Sequence, residues 1–247
     1  MDIPANLVAE LRAAERVAAL TGAGISKESG IPTFREALTG LWENYDPQEL
    51  ATPGAFRRNP KMVWEWYAQR RAQIAEVQPN PGHVALAEME RHISVFTLIT
   101  QNIDGLHRKA GSQCVLELHG NIQRVKCLDR EHPVEAYDGS GEMPPRCPRC
   151  GSLLRPDVVW FGENLPMGAV MAAVDAARNC ELFFSIGTSG LVEPAASLPF
   201  EALQCGATIV EVNPEETPLS EHAAYVLRGP AGIVLPALLR TVWPTSA

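Results

Sequence analysis

At 247 residues the chain can bury a substantial core, as one large domain or as one domain with a smaller satellite. Lys and Arg number 21 against 29 acidic residues, a formal charge of −8, so the overall basic footprint of a nucleic-acid binder is absent. The start of the chain lacks a basic segment ahead of an apolar stretch, and no apolar run is long enough to cross a bilayer. Together these predict a soluble, cytoplasmic protein with no membrane or direct nucleic-acid partner.

Leu7, Val8 and Leu11 fall at helical spacing behind Pro4, which predicts a short amphipathic helix. The apolar run Val17 to Leu20 then predicts a strand, and it feeds the turn Gly22-Ala23-Gly24. Glycines there let the backbone turn sharply and bring its N–H groups close to an anion. The turn departs from the ordinary dinucleotide fingerprint, because Lys27 stands where a third glycine belongs and Pro32 follows soon after. A standard hydride-transfer dehydrogenase is therefore disfavoured. Residues 36 to 80 read as an inserted helical lobe, with patches broken by Pro47, Pro53 and Pro60 and containing Trp42, Phe56, Trp64 and Trp66. If Trp64 to Arg71 is helical, Tyr67 and Arg70 share a face, where a phenol and a guanidinium can converge on one carboxylate. The plainer reading puts the aromatics inward and the arginines in water.

Further strands are expected at Val95 to Ile99, Leu182 to Ile186 and Thr208 to Val212, with helices at His83 to Arg91 and Ala195 to Gln204. Such alternation argues for a mostly parallel sheet whose ligands sit at the carboxyl ends of the strands. The polar turns fall at those ends: Gln101, Asn102 and Asp104 after one strand, Gly187-Thr188-Ser189 and Asn213-Pro214-Glu215 after two others. Their amide, hydroxyl and carboxylate groups suit ribose hydroxyls or a carboxamide, although Asp104 alone would be an ordinary cap near a helix start. His119 closes the short apolar run at Leu116 to Leu118 and has the chemistry of a general base. Taken alone, a histidine beside a glycine is more often structural, and His107 is assigned structure only. Asp138 to Pro145 reads as a loop, and Arg155 to Glu163 as a strand and its turn.

The fourteen-residue string Gly22 to Arg35 resembles the signature of the sirtuins, the NAD-dependent protein deacylases, and the later turns agree with it in order and spacing. The fold this resemblance implies is α/β, a Rossmann-like mostly parallel sheet with a smaller lobe formed by a helical insertion and a cysteine-containing insertion. The implied division is 1–35, 81–123 and 156–247 for the NAD-binding domain, 36–80 for the helical lobe and 124–155 for the cysteine-containing lobe. The cofactor is NAD, consumed as a co-substrate. By the resemblance it is held by Gly22, Ala23, Gly24, Phe34, Arg35, Trp42, Gln101, Asn102, Ile103, Asp104, Gly187, Thr188, Ser189, Asn213 and Glu215, with Ala231 near adenine. Phe34 and Arg35 would cover the reactive ribose and exclude water, and His119 would be the catalytic base. Val159, Trp160, Phe161 and Gly162 would pair with the backbone of an acyl-lysine peptide, a strand-addition mode.

Tyr67 and Arg70 resemble the Tyr-x-x-Arg marker of the class III sirtuins, which remove succinyl, malonyl and glutaryl groups, and Ala51 matches the small residue that leaves room for a longer acyl chain. The activity implied is deacylation of lysine with release of nicotinamide and O-acyl-ADP-ribose, acidic acyl groups favoured and acetyl also removed. Transfer of ADP-ribose to protein, or a non-catalytic NAD-sensing module, are the alternatives. The family's zinc site uses two cysteine pairs; Cys147 and Cys150 match one, and Cys127 the first member of the other. The position for the missing partner, three residues after Cys127, is Arg130. A structural zinc needs four ligands, so His132 or Asp129 substitutes, or the metal is absent.

Overall fold

In a computed structural model, which describes residues 2–32 and 50–244, the apolar runs pair into one parallel six-stranded sheet. Its strands are β1 (Arg16–Thr21), β2 (Val95–Thr100), β3 (Val115–Glu117), β6 (Leu182–Ile186), β7 (Thr208–Val212) and β8 (Tyr225–Leu227), in the order β3-β2-β1-β6-β7-β8. All five residues of β6 are buried, and all but the first of β1. This is the pattern of a parallel sheet covered on both faces.

Alternation along the strands sends successive side chains to opposite layers. Val17, Ala19, Leu182, Phe184 and Ile186 face a layer built from α1 (Ala5–Ala13), α5 (Pro81–His92) and α9 (Ala231–Val242). Ala18, Leu20 and Phe183 face the other, which contains α7 (Met167–Asn179) and α8 (Leu198–Gln204), the latter preceded by a 3-10 turn at Ala195–Ser197. Two short helices, α2 (Gly24–Lys27) and α6 (Leu106–Lys109), start just beyond β1 and β2. No helix among the described residues is long and apolar enough to cross a membrane.

Away from this sheet, β4 (Gly120–Cys127) and β5 (Leu154–Val158) form an antiparallel pair with an irregularity between Asn121 and Val125. Against them pack α3 (Pro53–Arg58) and α4 (Pro60–Glu76), burying Phe56, Val63, Tyr67, Ile122, Val158 and Trp160 in one cluster. The strands run across the expected lobe boundaries at 123–124 and 155–156. Pro53 and Pro60, read from sequence as breaks, instead stand at the first turns of α3 and α4, where a missing N–H costs nothing. Thr52 and Asn59 cap those helices, their side-chain oxygens accepting from the N–H groups of Ala55 and Met62.

Candidate active site

The strand order reverses between β1 and β6, and there the loops after the two strands meet. Gly24 N–H donates to Gly187 O at 2.8 Å, and Gly22 N–H to Ile186 O at 3.0 Å. A Cβ on Gly22 would lie 2.8 Å from Gly187 O, and one on Gly24 2.7 Å from the same oxygen. The glycines are thus required by the approach of one loop to the other as well as by any anion. Ala23 precedes α2, which at four residues is no long dinucleotide helix.

Short polar side chains then tie the strand ends together. Ser26 Oγ donates to Asp104 Oδ2 at 2.7 Å and receives Asn102 Nδ2 at 3.2 Å, while Asn102 also donates to Gly22 O at 3.0 Å. Asp104 Oδ1 accepts the N–H of Leu106 at 2.9 Å, so the cap and the candidate NAD contact are one residue. Burial raises the Asp104 pKa, opposed by its bonds to Leu106 and Ser26. Gln101 Nε2 donates to Thr188 Oγ1 at 3.0 Å, and Asn213 Nδ2 to Thr188 O at 2.8 Å. Ile103 O accepts from Ile122 N–H at 2.8 Å, linking this turn to β4. Glu215 is exposed and Ser189 half-buried at the rim, whereas Ala231 is buried at the start of α9. That helix is tied to the first loop, because Glu28 Oε1 accepts the N–H of Gly232 at 2.8 Å. Phe34, Arg35 and Trp42 lie outside the described residues.

His119, just past β3, has Nδ1 2.8 Å from Gln101 O. A carbonyl only accepts, so Nδ1 carries the proton and Nε2 keeps a lone pair. Burial lowers the His119 pKa against the opposing effect of that bond, which keeps the ring neutral at pH 7. His107 is buried, its Nε2 2.9 Å from Thr21 Oγ1, and its ring lies tilted against that of the equally buried His83 with centroids 4.8 Å apart.

The second wall of the site is aromatic. Tyr67 sits on the buried face of α4, and its oxygen accepts the indole N–H of Trp160 at 3.1 Å. Indole can only donate, so the phenol hydrogen is directed elsewhere. Burial pushes the Tyr67 pKa up to about 12, so the group is a donor at neutral pH. One turn on, Arg70 lies 5.7 Å from the centroid of Trp66, and burial disfavours its charge. Ala51 O accepts Phe161 N–H at 2.9 Å.

The segment Val159 to Gly162 is a turn that follows β5. The N–H groups of Val159, Trp160 and Phe161 already bond to His119 O, Glu163 Oε2 and Ala51 O, so in this conformation they are not offered to a peptide. The Trp160 side chain is 1% exposed, packed on Phe56 and under the Arg155 guanidinium, so it belongs to the core. Phe161 is exposed. The loop is clamped by Arg155, whose guanidinium meets both Glu163 oxygens at 2.5 and 2.8 Å.

Residues 22–194 match the model of the Sir2 family. The chain belongs to the Sir2 family. An NAD-dependent protein deacylase of Ralstonia nicotianae is 51% identical over 96% of each chain, and one of Pyrococcus furiosus 51% identical over 91% of this chain and 92% of its own. Among solved structures, a Sir2 homologue in complex with NAD is 46% identical, with a TM-score of 0.90 over 98% of this chain and 94% of that one. A Sir2 complex with a p53 peptide and NAD+ is 32% identical, with a TM-score of 0.84 over 97% and 98%.

With Sir2 membership established, the three cysteines gain a context. The donor atoms of Cys127, His132 and Cys147 all lie within 4.8 Å of one another. Cys150 Sγ is 3.5 Å from Cys127 Sγ, and Cys147 Sγ is 3.5 Å from His132 Nε2. Two thiols and an imidazole converge, with the Cys150 thiol beside Cys127, a donor set of the kind that suits zinc; Asp129 is not among them. Sequence reasoning gave no role to Ser26, which joins Asn102 to Asp104, nor to Asn80, which donates to Ile25 O at 2.6 Å and caps α5. The Asn80-Pro81 pair was the available signal for the cap; nothing local marks Ser26.

Proposed function

We propose that this Sir2-family NAD-dependent protein deacylase favours lysines bearing carboxylate-ended acyl groups, succinyl and malonyl, over acetyl-lysine, and yields nicotinamide, O-acyl-ADP-ribose and free lysine. The observation that carries the preference is the pair on α4: a Tyr67 hydroxyl already accepting from Trp160, hence a donor outward, one turn from the desolvated Arg70 guanidinium. A carboxylate between them gains two charge-assisted hydrogen bonds. Their net worth of about 1.5–3 kcal/mol corresponds to roughly tenfold to hundredfold discrimination. Ala51 leaves space for the longer chain beside the Phe161 backbone.

Bound NAD supplies an electrophilic ribose carbon. The loops at Gly22–Gly24 and Gly187–Ser189 receive the dinucleotide, with Asn102 and Asp104 bordering the nicotinamide end and Asn213, Glu215 and Ala231 the adenosine end. His119, neutral and with its Nε2 lone pair fixed by the Nδ1–H bond to Gln101 O, takes a proton from a ribose hydroxyl. The acyl-lysine peptide enters between the NAD-binding domain and the two smaller lobes and meets the carbonyls of Val159 and Phe161 and the exposed Gly162. Cys127, His132, Cys147 and Cys150 would hold a zinc ion that is structural and takes part in no bond change.

Steady-state deacylation of one peptide carrying acetyl-lysine or succinyl-lysine tests the proposal in wild type and Arg70→Met. The expected result is a kcat/KM favouring succinyl by about 10- to 100-fold, a preference removed by Arg70→Met with acetyl turnover retained. Acetyl preference in wild type, with neither rate changed by the substitution, would overturn it.

A further inference from the structure

The loop from Cys127 to His132 folds back on itself. Glu131 N–H donates to Cys127 O and Cys127 N–H to His132 O, both at 3.0 Å. Closing so short a loop requires Glu131 at φ 53°, the one non-glycine residue with positive φ among those described. That conformation is disfavoured for an L-residue, and what it achieves is to bring the His132 ring beside the sulfur of Cys147. Opposite, the Cys147-Pro148-Arg149-Cys150 turn is closed in the same manner: Gly151 N–H donates to Cys147 O at 2.9 Å and Cys147 N–H to Ser152 O at 2.7 Å, with Gly151 at φ 76°. Two loops, each closed around a cysteine, face each other.

We infer that His132, through Nε2, is the fourth ligand of a zinc ion held with Cys127, Cys147 and Cys150, in place of the cysteine that the two-pair pattern puts at Arg130. Distances carry the argument. Zn–S bonds of about 2.3 Å and Zn–N bonds of about 2.0–2.1 Å in a tetrahedron set the sulfurs about 3.8 Å apart and sulfur and nitrogen about 3.5 Å apart. The observed separations are 3.5 Å for Cys127 to Cys150 and 3.5 Å for Cys147 to His132. A disulfide is not the alternative in this state, since a sulfur–sulfur bond is about 2.05 Å long. The lobe also needs a staple. Between β4 and β5 it has no further strand or helix, and besides the cysteines its apolar residues in the cluster around Trp64 are Val125, Val134, Tyr137, Met143 and Leu154. The inference concerns this lobe alone and stands or falls without the acyl preference.

The test uses the full chain purified without added zinc, as wild type, His132→Ala and His132→Cys. Metal analysis is expected to find close to one zinc per chain in wild type and in His132→Cys. Chelator competition is expected to show zinc affinity reduced more than about 100-fold in His132→Ala, beyond the range for loss of a merely supporting partner. Cobalt(II) exchanged into the site adds a readout independent of activity: His132→Cys should intensify the thiolate charge-transfer band and shift the visible bands relative to wild type. An unchanged zinc affinity in His132→Ala, an unchanged cobalt spectrum in His132→Cys, or a folded wild type that takes up neither metal would overturn the assignment. Should His132→Ala fail to fold, the cobalt spectra of the other two proteins decide.

Discussion

The two walls of the cleft are built on different physical terms. Beneath the dinucleotide loops lies a layer of short polar groups, Thr21, Ser26, Thr100, Asp104 and Asn213, all buried and hydrogen-bonded across strands far apart in sequence. On the acyl side the hydrogen bond from Trp160 to Tyr67 is set in aromatic packing, and the guanidinium of Arg70 sits half-buried at its edge. In the first wall each residue fixes two or three others, so changing one disturbs the scaffold. In the second, a side chain can be exchanged with its backbone held by unrelated contacts. Under the proposed roles, exchanges on the Tyr67 side should alter acyl selectivity with the fold kept, whereas changes beneath the glycine loops should cost stability along with NAD binding.

His119 offers the sharpest way to break that comparison, because it belongs to the polar wall yet its side chain makes a single bond, to Gln101 O. His119→Ala should reduce deacylation by about 10²- to 10⁴-fold, the range for loss of a general base. Its structural cost is one neutral hydrogen bond, about 1 kcal/mol. Turnover and thermal unfolding measured on the same preparation check this; retained turnover sinks the assignment of the base. Gly24→Ala probes the scaffold itself. The added Cβ would meet Gly187 O at 2.7 Å, backbone against backbone, so the two loops must part. Overpacking of this kind costs about 1–3 kcal/mol, and the KM for NAD should rise together with the loss of stability. A variant with normal stability and normal NAD affinity would show the two loops to be independent.

Legibility in the sequence followed the same division. β6 and β7 were readable to the residue, because a parallel strand buried on both faces is dominated by apolar and β-branched residues, with Ser185 and Glu211 as the exceptions here. β8 and most of β4 were not: Gln123, Arg124 and Lys126 interrupt the apolar character of β4, and three residues of β8 carry no period. The polar turns could be placed at the strand ends from the sequence, but not their mutual bonds. Ser26 meets partners 76 and 78 residues away, and no local pattern encodes such a meeting. The choice between His132 and Asp129 was likewise closed to spacing, since it depends on the backbone turning at Glu131. The burial of the Trp160 side chain was equally closed to the sequence, since it is packed by Phe56 and Tyr67, about a hundred residues earlier in the chain.

The polar wall also predicts how the protein meets acid. His83 and His107 are buried; burial lowers the pKa of His83 to about 4, and burial followed by the neighbouring His83 lowers that of His107 well below 6.5. Among the described residues the Nδ1 atoms of both rings lack a hydrogen-bond partner, so a proton added there would be buried without an acceptor. In the unfolded chain both titrate near 6.5. Below that pH the unfolded state binds protons that the folded state refuses. The stability these rings contribute as neutral groups is complete above about pH 6.5 and is lost as the pH falls, by about 1.4 kcal/mol per pH unit for each histidine. For His83 the loss levels off once the pH passes its folded value of about 4. Urea unfolding of wild type and His83→Gln at pH 7, 6 and 5 measures the share of one ring: the slope of stability against pH should be shallower in the variant by up to about 1.4 kcal/mol per unit. Equal slopes would mean that His83 takes a proton in the folded protein, and that the wall under the NAD loops is more open to water than its packing allows.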